Sequence, residues 1–225
     1  MGVIPFLIGW PVLIAVIVPF LKSERVRSVL VYVGAGGVMA LSVALLAQWL
    51  VSGGEVMSFY RETELVDHLM LAGELVLMAL IVYLSVVHRK YPVILLSVAQ
   101  TAVLIWTETN FPVEPASHMK VDGLSMLMTV IAAFVGGLIC IYAVGYMKAY
   151  HHHHKEYKDR TGFFLSMLFL FLGAMFGLVL SGNLVWMYFF WEITSVVSFL
   201  LIGYTRTEEA VHNSFRALWM NLLGG

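Results

Sequence analysis

The sequence predicts an all-α polytopic membrane protein: a bundle of about eight transmembrane helices, the last one truncated, with the N-terminus outside. The first observation is composition, since 60% of the 225 residues are hydrophobic and only 12% are charged, which is more apolar than a soluble domain can bury. The second is that apolar runs recur at the ~20-residue length that spans ~30 Å of hydrocarbon as a helix. The third is that the basic residues fall almost entirely on one side of these runs.

Eight apolar runs can be counted along the chain. They are Val3 to Leu21, Ser28 to Val51, Leu69 to His88, Tyr91 to Thr107, Leu124 to Met147, Phe163 to Ser181, Leu184 to Tyr204, and a segment from Ser214 to Gly225. The first run lacks the preceding basic region and the small-residue cleavage site of a secretion signal, so we interpret it as a span. The fourth run is short and carries two polar residues, Gln100 and Thr101.

The basic residues predict the orientation of these spans. Loops rich in Lys and Arg stay on the cytoplasmic side of a membrane. Eleven of the 13 basic residues follow odd-numbered spans, namely Lys22, Arg25, Arg27, Arg89, Lys90, Lys148, Lys155, Lys158, Arg160, Arg206 and Arg216. Only Arg61 and Lys120 lie on the other side. The N-terminus is therefore predicted to face outward, and the count supports the fourth span, whose removal would place basic loops on both sides.

Composition also excludes several classes of function. A net charge of −1 without a block of like charges gives no reason to expect nucleic acid as a partner. The single cysteine, Cys140, lies within an apolar run, so a disulfide framework or a cysteine-bound iron-sulfur cluster is not expected. We expect no cofactor and no metal in this chain, and any redox cofactor must belong to another subunit.

A run of four histidines, His151 to His154, suggests a metal site at first inspection. Neutral imidazoles bind zinc, copper or nickel, but four consecutive side chains rarely point at one ion. The run also lies among charged residues. We therefore interpret it as part of a solvated cytoplasmic loop.

Small residues and prolines predict how the helices pack. Ala132, Ala133, Gly136 and Gly137 in the fifth span, and Gly173 and Gly177 in the sixth, are spaced to let helix backbones approach closely in lipid. The glycines of the GAGG stretch at 34–37 are interpreted in the same way. Pro5, Pro11 and Pro19 in the first span are tolerable only where neighbouring groups satisfy the carbonyls that they free.

Glu192 is the residue most indicative of function, because it lies inside the apolar stretch FFWEITSVVSFLLIGY. An ionised side chain at the bilayer centre costs roughly 2.5–3.5 kcal/mol on insertion scales, so it should face the protein interior. Thr194, Ser195 and Ser198 place hydroxyls within two turns of it. Burial favours the neutral carboxyl and a nearby cation favours the charged one. A carboxyl balanced between these effects can relay protons, whereas the alternative is a protonated structural glutamate.

From about Val121 to the last residue the chain resembles a known family. The segments VDGLSMLMTVIAAFVGGLICIYAVGYM and FFLSMLFLFLGAMFGLVLSGNLVWMYFFWEITSVVSFLLIGY resemble the first spans of the antiporter-like subunits of respiratory complex I, Mrp cation/proton antiporters and energy-converting membrane-bound hydrogenases. The FWE followed by SFLLIGY is the most specific element, and it aligns Glu192 with the intramembrane glutamate of the family. The resemblance implies that Glu192 forms one half of a buried Glu–Lys pair.

Two departures from the family pattern follow from this resemblance. The family's partner lysine, its central relay residue and its broken helices lie on later helices, so we expect either a truncated subunit or further helices on a separate polypeptide. The run from Leu69 to Thr107 inserts two spans after the second. We therefore divide the chain into an N-terminal hairpin with its outer loop (1–68), an inserted hairpin (69–107) and the first helices of the antiporter-like module (108–225).

The inserted hairpin carries a second acid, Glu74, about two turns into its span. It could extend a proton path or contact a partner subunit. The competing interpretation is that Glu74 lies near the outer end of its span, where it is solvated or meets a hydroxyl.

These observations predict an ion-translocating subunit that moves protons or sodium, either driven by redox chemistry on other subunits or in cation/proton exchange. The alternative is a structural scaffold without its own channel, and an independent intramembrane enzyme is remote because no nucleophile with its base appears. Expected partners are other membrane subunits, the lipid bilayer, protons and sodium ions. The expected location is the cell membrane, most simply a prokaryotic inner membrane.

Overall fold

The computed structural model describes residues 3–59, 64–110 and 117–224, and within them the chain is almost entirely helical. The elements in chain order are α1 (Val3–Ile17), α2 (Glu24–Val51), β1 (Met57–Phe59), α3 (Glu64–Val87), α4 (Tyr91–Asn110), β2 (Met119–Val121), α5 (Gly123–His153), α6 (Thr161–Leu180), α7 (Leu184–Ile202) and α8 (Glu208–Gly224). Each of the eight apolar runs coincides with one of these helices. The prediction of an all-α helix bundle is confirmed.

Six of the described helices are long and apolar enough to cross a membrane, namely α1 with its following turn, α2, α3, α5, α6 and α7. The apolar part of α4, Tyr91–Thr107, is shorter, and α8 has 17 residues. The chain is therefore a multi-pass membrane protein. Whether α4 and α8 also cross the bilayer, and which side the N-terminus faces, stay predictions.

The helices group into two compact units that follow packing rather than chain order. Unit 1 consists of Met1–Ser58 and Lys120–Ser181 and holds α1, α2, α5 and α6. Unit 2 consists of Phe59–Met119 and Gly182–Gly225 and holds α3, α4, α7 and α8. The division of the sequence into segments 1–68, 69–107 and 108–225 concerns sequence modules and stays a proposal.

Close helix contacts in unit 1 occur at the small residues. A Cβ added to Gly37 would lie 2.5 Å from Nε1 of Trp10 on α1, and one added to Gly137 would lie 2.5 Å from the Met39 side chain on α2. At Gly136 the same test meets Leu172 on α6 at 2.6 Å. The small-residue spacing therefore marks helix–helix contacts within the protein, as predicted.

The prolines of α1 show how a membrane helix tolerates missing donors. Pro19 has no N–H, so the carbonyl of Ala15 four residues earlier cannot receive its usual helical hydrogen bond. The Ser166 hydroxyl on α6 donates to that carbonyl, and Val18–Phe20 closes the helix as a 3₁₀ turn. A neighbouring side chain thus satisfies the freed carbonyl, as expected for a proline within a membrane helix.

The N-terminus of α5 is held by a capping box. The Ser125 backbone N–H donates to Oδ1 of Asp122 at 2.9 Å, and the Asp122 N–H donates to the Ser125 hydroxyl at 2.8 Å. The hydrogen bond from the Ser125 backbone, aided by nearby Lys120, holds the pKa of Asp122 below its usual value despite a smaller opposing effect of burial. The cap follows directly on β2, which pairs with β1.

Removing this cap should destabilise the chain in a pH-dependent way. We expect Asp122→Ala to lower the free energy of unfolding by about 1 kcal/mol at pH 7. Because the folded-state pKa is lowered, the charge-dependent part is complete above the unfolded pKa of about 3.9 and is lost as the pH falls through the folded value. Thermal unfolding in uncharged detergent at pH 7 and pH 3 measures both effects.

Asp122→Asn is the control for the cap, because the amide keeps an acceptor for the Ser125 N–H but carries no charge. It should retain most of the stability at pH 7. A loss in the alanine variant that is as large at pH 3 as at pH 7 would contradict a contribution from the carboxylate charge.

Unit 2 places α3, α4, α7 and α8 around a shared interior, with α3 against α4 and α7, and α8 against α4 and α7. An apolar cluster fills part of this interior, and within it the Phe199 and Phe215 rings meet edge to face with centroids 4.9 Å apart. The inserted hairpin α3–α4 therefore packs directly against the helix that carries Glu192.

Candidate ion-translocation site

Glu192 lies at the middle of α7 and faces the interior of unit 2. It is the ninth of the 19 residues of the helix and is 8% exposed. On the same face, Ser195 and Phe199 are also buried. The inward orientation, which the cost of a charge in lipid requires, is observed.

The Tyr188 hydroxyl donates a hydrogen bond to Oε1 of Glu192 at 2.6 Å. The two residues are four apart on α7, so their side chains project from the same face of the helix. Tyr188 was not predicted as a site residue, because the hydroxyls assigned to Glu192 from the sequence all lie C-terminal to it. The i−4 spacing of a tyrosine was the signal that could have found it.

The serine and threonine hydroxyls near Glu192 have other partners. Thr194 donates to the Trp191 carbonyl at 2.7 Å and Ser198 donates to the Thr194 carbonyl at 2.8 Å. Both therefore bind their own helix. Of the three hydroxyls that the sequence singled out, Ser195 alone lines the cavity beside the carboxyl group.

This cavity has a volume of about 10 Å³, which is close to the space that one water molecule needs. Polar side chains from three helices line it, namely Gln100 of α4, Glu192 and Ser195 of α7, and Asn221 of α8. The Gln100 oxygen is buried without a protein donor. Both polar residues of the fourth run have a place in the structure. Gln100 faces this cavity, and buried Thr101 donates a hydrogen bond to the Ser97 carbonyl.

Glu74 is buried on α3 with 3% of its surface exposed. The solvated interpretation of this residue is therefore wrong. Glu74 lies within electrostatic range of the Tyr188 hydroxyl, and next to it Gly73 makes room for the Phe189 ring, which a Cβ at that position would meet at 2.9 Å. Of the two predicted site residues, Glu192 accepts a hydrogen bond from Tyr188 and Glu74 interacts with it electrostatically.

No lysine or arginine contacts Glu192 within residues 3–59, 64–110 and 117–224. The described partner of the carboxyl group is a neutral hydroxyl. A positive counterpart, which the family resemblance implies, would have to come from residues beyond those described.

The histidine run does not lie in a loop, and this prediction is wrong. His151, His152 and His153 form the last turn of α5 and His154 caps it. Nε2 of His151 lies 3.4 Å from Oδ1 of Asp159, with 14% of the His151 side chain exposed. Consecutive residues of a helix point about 100° apart, so the four rings diverge. No group of three potential metal ligands occurs in the described parts of the chain.

Two segments of the chain match models of known protein families. Residues 106–158 match the family model for the N-terminus of chain 5 of NADH-ubiquinone oxidoreductase (complex I). Residues 181–225, which include Glu192, Tyr188 and Asn221, match the model for the transmembrane part of NADH:quinone oxidoreductase and Mrp antiporters. The two matches together cover less than half of the chain.

Curated relatives point the same way. The Na(+)/H(+) antiporter subunit A1 of Staphylococcus haemolyticus strain JCSC1435 is 38% identical over 108 residues, and its counterpart in Staphylococcus aureus strain JH9 is 36% identical over the same length. Each alignment covers 48% of this chain but 12% of the relative. The aligned part therefore corresponds to a small share of those proteins.

The helix bundle and its buried carboxyl groups define a polytopic membrane subunit with ionisable residues inside the protein. More particularly, the matched segments are similar to the antiporter-like membrane subunits shared by complex I and Mrp antiporters. The family resemblance that the sequence suggested is confirmed.

Proposed function

We propose that this chain forms part of an ion-translocating antiporter-like subunit, in which Glu192 exchanges a proton as ions move. The observation that carries the proposal is the Glu192 carboxyl group, buried at the middle of α7 in the matched family segment and hydrogen-bonded to Tyr188 at 2.6 Å. The matched segments correspond to the N-terminal region of such subunits.

The surroundings of Glu192 make both of its charge states accessible. A hydrogen bond to a charged acceptor contributes about 1.5–3 kcal/mol, which offsets much of the roughly 2.5–3.5 kcal/mol cost of a charge at the membrane centre. The neutral state is stabilised by the apolar surroundings. Since neither state is prohibitive, the group can gain and lose a proton during transport.

Glu74 supplies a second carboxyl group for the same path. The Tyr188 hydroxyl donates a hydrogen bond to Glu192 and interacts electrostatically with Glu74, so it is the proposed link between the two acids. A proton can then pass from one acid to the other through the tyrosine. Beside Glu192, the small cavity with Gln100 and Asn221 has room for about one water molecule, which extends the proposed path toward α4 and α8.

The proposed partners and location follow from the relatives. Their printed names describe Na(+)/H(+) antiporter subunits, so we propose that the chain assembles with other membrane subunits in a prokaryotic cell membrane and takes part in cation/proton exchange. Sodium-driven proton movement in inside-out membrane vesicles containing the assembled complex is the direct test. Loss of that exchange on removal of the Glu192 carboxyl group is the expected result.

The tyrosine offers a separate test of the path. We expect Tyr188→Phe to lower the rate of proton exchange about fivefold, because it removes one hydrogen bond of about 1 kcal/mol to Glu192 and the hydroxyl that links the two acids in the proposed path. The rate is measured in vesicles with a pH-sensitive dye.

Tyr83→Phe is the matched control, since Tyr83 is 65% exposed on α3 of the same unit. It should leave the rate unchanged. If Tyr188→Phe also leaves the rate unchanged, the tyrosine lies outside the proton path and Glu74 loses its proposed connection to Glu192.

A further inference from the structure

Unit 1 contains a large pocket that the proposed proton path does not use. It has a volume of about 460 Å³ and lies where α2 begins, α5 ends and α6 begins. These helix ends are at the predicted cytoplasmic boundary of the membrane. A pocket of this size is in the range that accommodates a small ligand.

Charged residues line the polar side of the pocket. They are Glu24, Arg25, Arg27, Lys148, His151 and Asp159, which gives a net charge of +1 with the histidine neutral. The positive charges come from two helices, α2 and α5. An anionic group is therefore the complementary ligand.

The charge of Asp159 is already compensated. Its Oδ1 accepts hydrogen bonds from the Thr161 backbone at 2.8 Å and from the Thr161 hydroxyl at 2.6 Å, and it lies 3.4 Å from His151. Although burial acts in the opposite direction, the Thr161 hydrogen bonds, His151 and Arg27 together lower the pKa of Asp159. Asp159 is thus held as a carboxylate by its own neighbours.

Arg25 and Lys148 lack such compensation. Neither forms an ion pair with any acid in the described parts of the chain. Both side chains are exposed and line the pocket. No described acid forms an ion pair with either cation. Both are therefore available to bind a phosphate in the pocket.

Apolar side chains also line the pocket. They are Val29, Val144 and Leu165, of which Val29 is 60% exposed. A free phosphate would use only the charged lining residues. A phospholipid would place its headgroup against the cations and an acyl chain along the valines, so it uses both kinds of lining.

We propose that this pocket binds the headgroup of an anionic phospholipid, with Arg25 and Lys148 as its principal phosphate contacts. Basic pockets between membrane helices on the cytoplasmic side are suited to such headgroups. The site is independent of the proton path, because its residues belong to unit 1 and those of the path belong to unit 2.

Native mass spectrometry of the purified chain in uncharged detergent tests the proposal. Dioleoylphosphatidylglycerol should bind at least about tenfold more tightly than dioleoylphosphatidylcholine, which has the same acyl chains but no net charge. Since each basic residue near an anionic headgroup contributes about a factor of five in affinity, the double variant Arg25→Gln/Lys148→Gln should bind phosphatidylglycerol roughly twentyfold more weakly. Equal binding of the two lipids by the wild-type chain would overturn the proposal without any variant.

Lys155→Gln/Lys158→Gln is the matched control, because it removes the same charge from exposed positions outside the pocket. Its lipid affinity should stay within about twofold of the wild type. An equal loss in both double variants would show general electrostatic attraction and overturn the site. Inorganic phosphate distinguishes a lipid site from a site for free phosphate. Displacement of the lipid by millimolar phosphate would identify a soluble-anion site and overturn the lipid assignment.

Discussion

Glu192→Gln is expected to lower coupled ion movement at least tenfold while the complex still assembles, because relay groups that move protons contribute about 10²-fold or more. The glutamine keeps the volume of the side chain and a carbonyl oxygen that accepts the Tyr188 hydrogen bond. It cannot gain or lose a proton near neutral pH. The change therefore separates the proton-exchanging role from the structural one.

The measurement is sodium-driven proton movement in inside-out vesicles, with the amount of assembled complex determined in the same preparation. Glu208→Gln is the matched control, since Glu208 is exposed in the first turn of α8, and it should transport as the wild type does. Glu192→Asp retains an acid and should recover part of the activity. Full transport by Glu192→Gln would favour the alternative function, a membrane scaffold. In that case the hydrogen bond between Tyr188 and Glu192 would have a structural role only.

Gly173→Val is expected to lower the free energy of unfolding of the chain by about 2–3 kcal/mol, the cost of overfilling a packed interior. A Cβ at residue 173 of α6 would lie 2.9 Å from Cγ2 of Val12 and 3.2 Å from the carbonyl oxygen of Ile8, both on α1. The carbonyl belongs to the backbone and cannot rotate away. The two helices would have to separate, which would also weaken the nearby contact between Ser166 and Ala15.

Denaturant or thermal unfolding in uncharged detergent measures this change. Gly145→Val is the matched control, because a Cβ at residue 145 of α5 meets no atom within 4 Å and the glycine is exposed. It should leave stability nearly unchanged. If both variants lose the same stability, the effect comes from the valine side chain in a helix rather than from the α1–α6 contact.

Much of the fold could be predicted because hydropathy is a local property. Each apolar run coincides with one helix, with bounds that differ by at most six residues, since a segment in lipid must satisfy its own backbone hydrogen bonds. Small residues marked contacts because close backbone approach requires them. The prediction of a loop at the histidine run was wrong because it rested on the charged neighbouring residues. Helix α5 continues through His153, and His151 contacts Asp159.

The site could be predicted only in part. A carboxylate in an apolar run shows from sequence alone that it must face the protein, which identified Glu192 and, with less support, Glu74. The electrostatic interaction of Glu74 with Tyr188 depends on how α3 packs against α7, and residues more than 100 positions apart carry no local signal of such an interaction. The position of Gln100 beside Glu192 could not be predicted either, because it depends on how α4 packs in unit 2. This position explains why an otherwise apolar run carries a polar residue.

The sequence by itself determined that the chain is a multi-pass helical membrane protein, that its second half resembles the antiporter-like family, and that Glu192 faces the protein interior. Those conclusions follow from the properties of the bilayer. A charged side chain or a backbone group without a hydrogen bond costs free energy in the hydrocarbon core wherever it occurs in the chain. Only the tertiary structure decided that the helices form two units, that the inserted hairpin packs against α7 and α8, and that Glu74 interacts electrostatically with the tyrosine that donates to Glu192. These depend on which helix faces meet, and the free energy of that choice comes from contacts between distant segments.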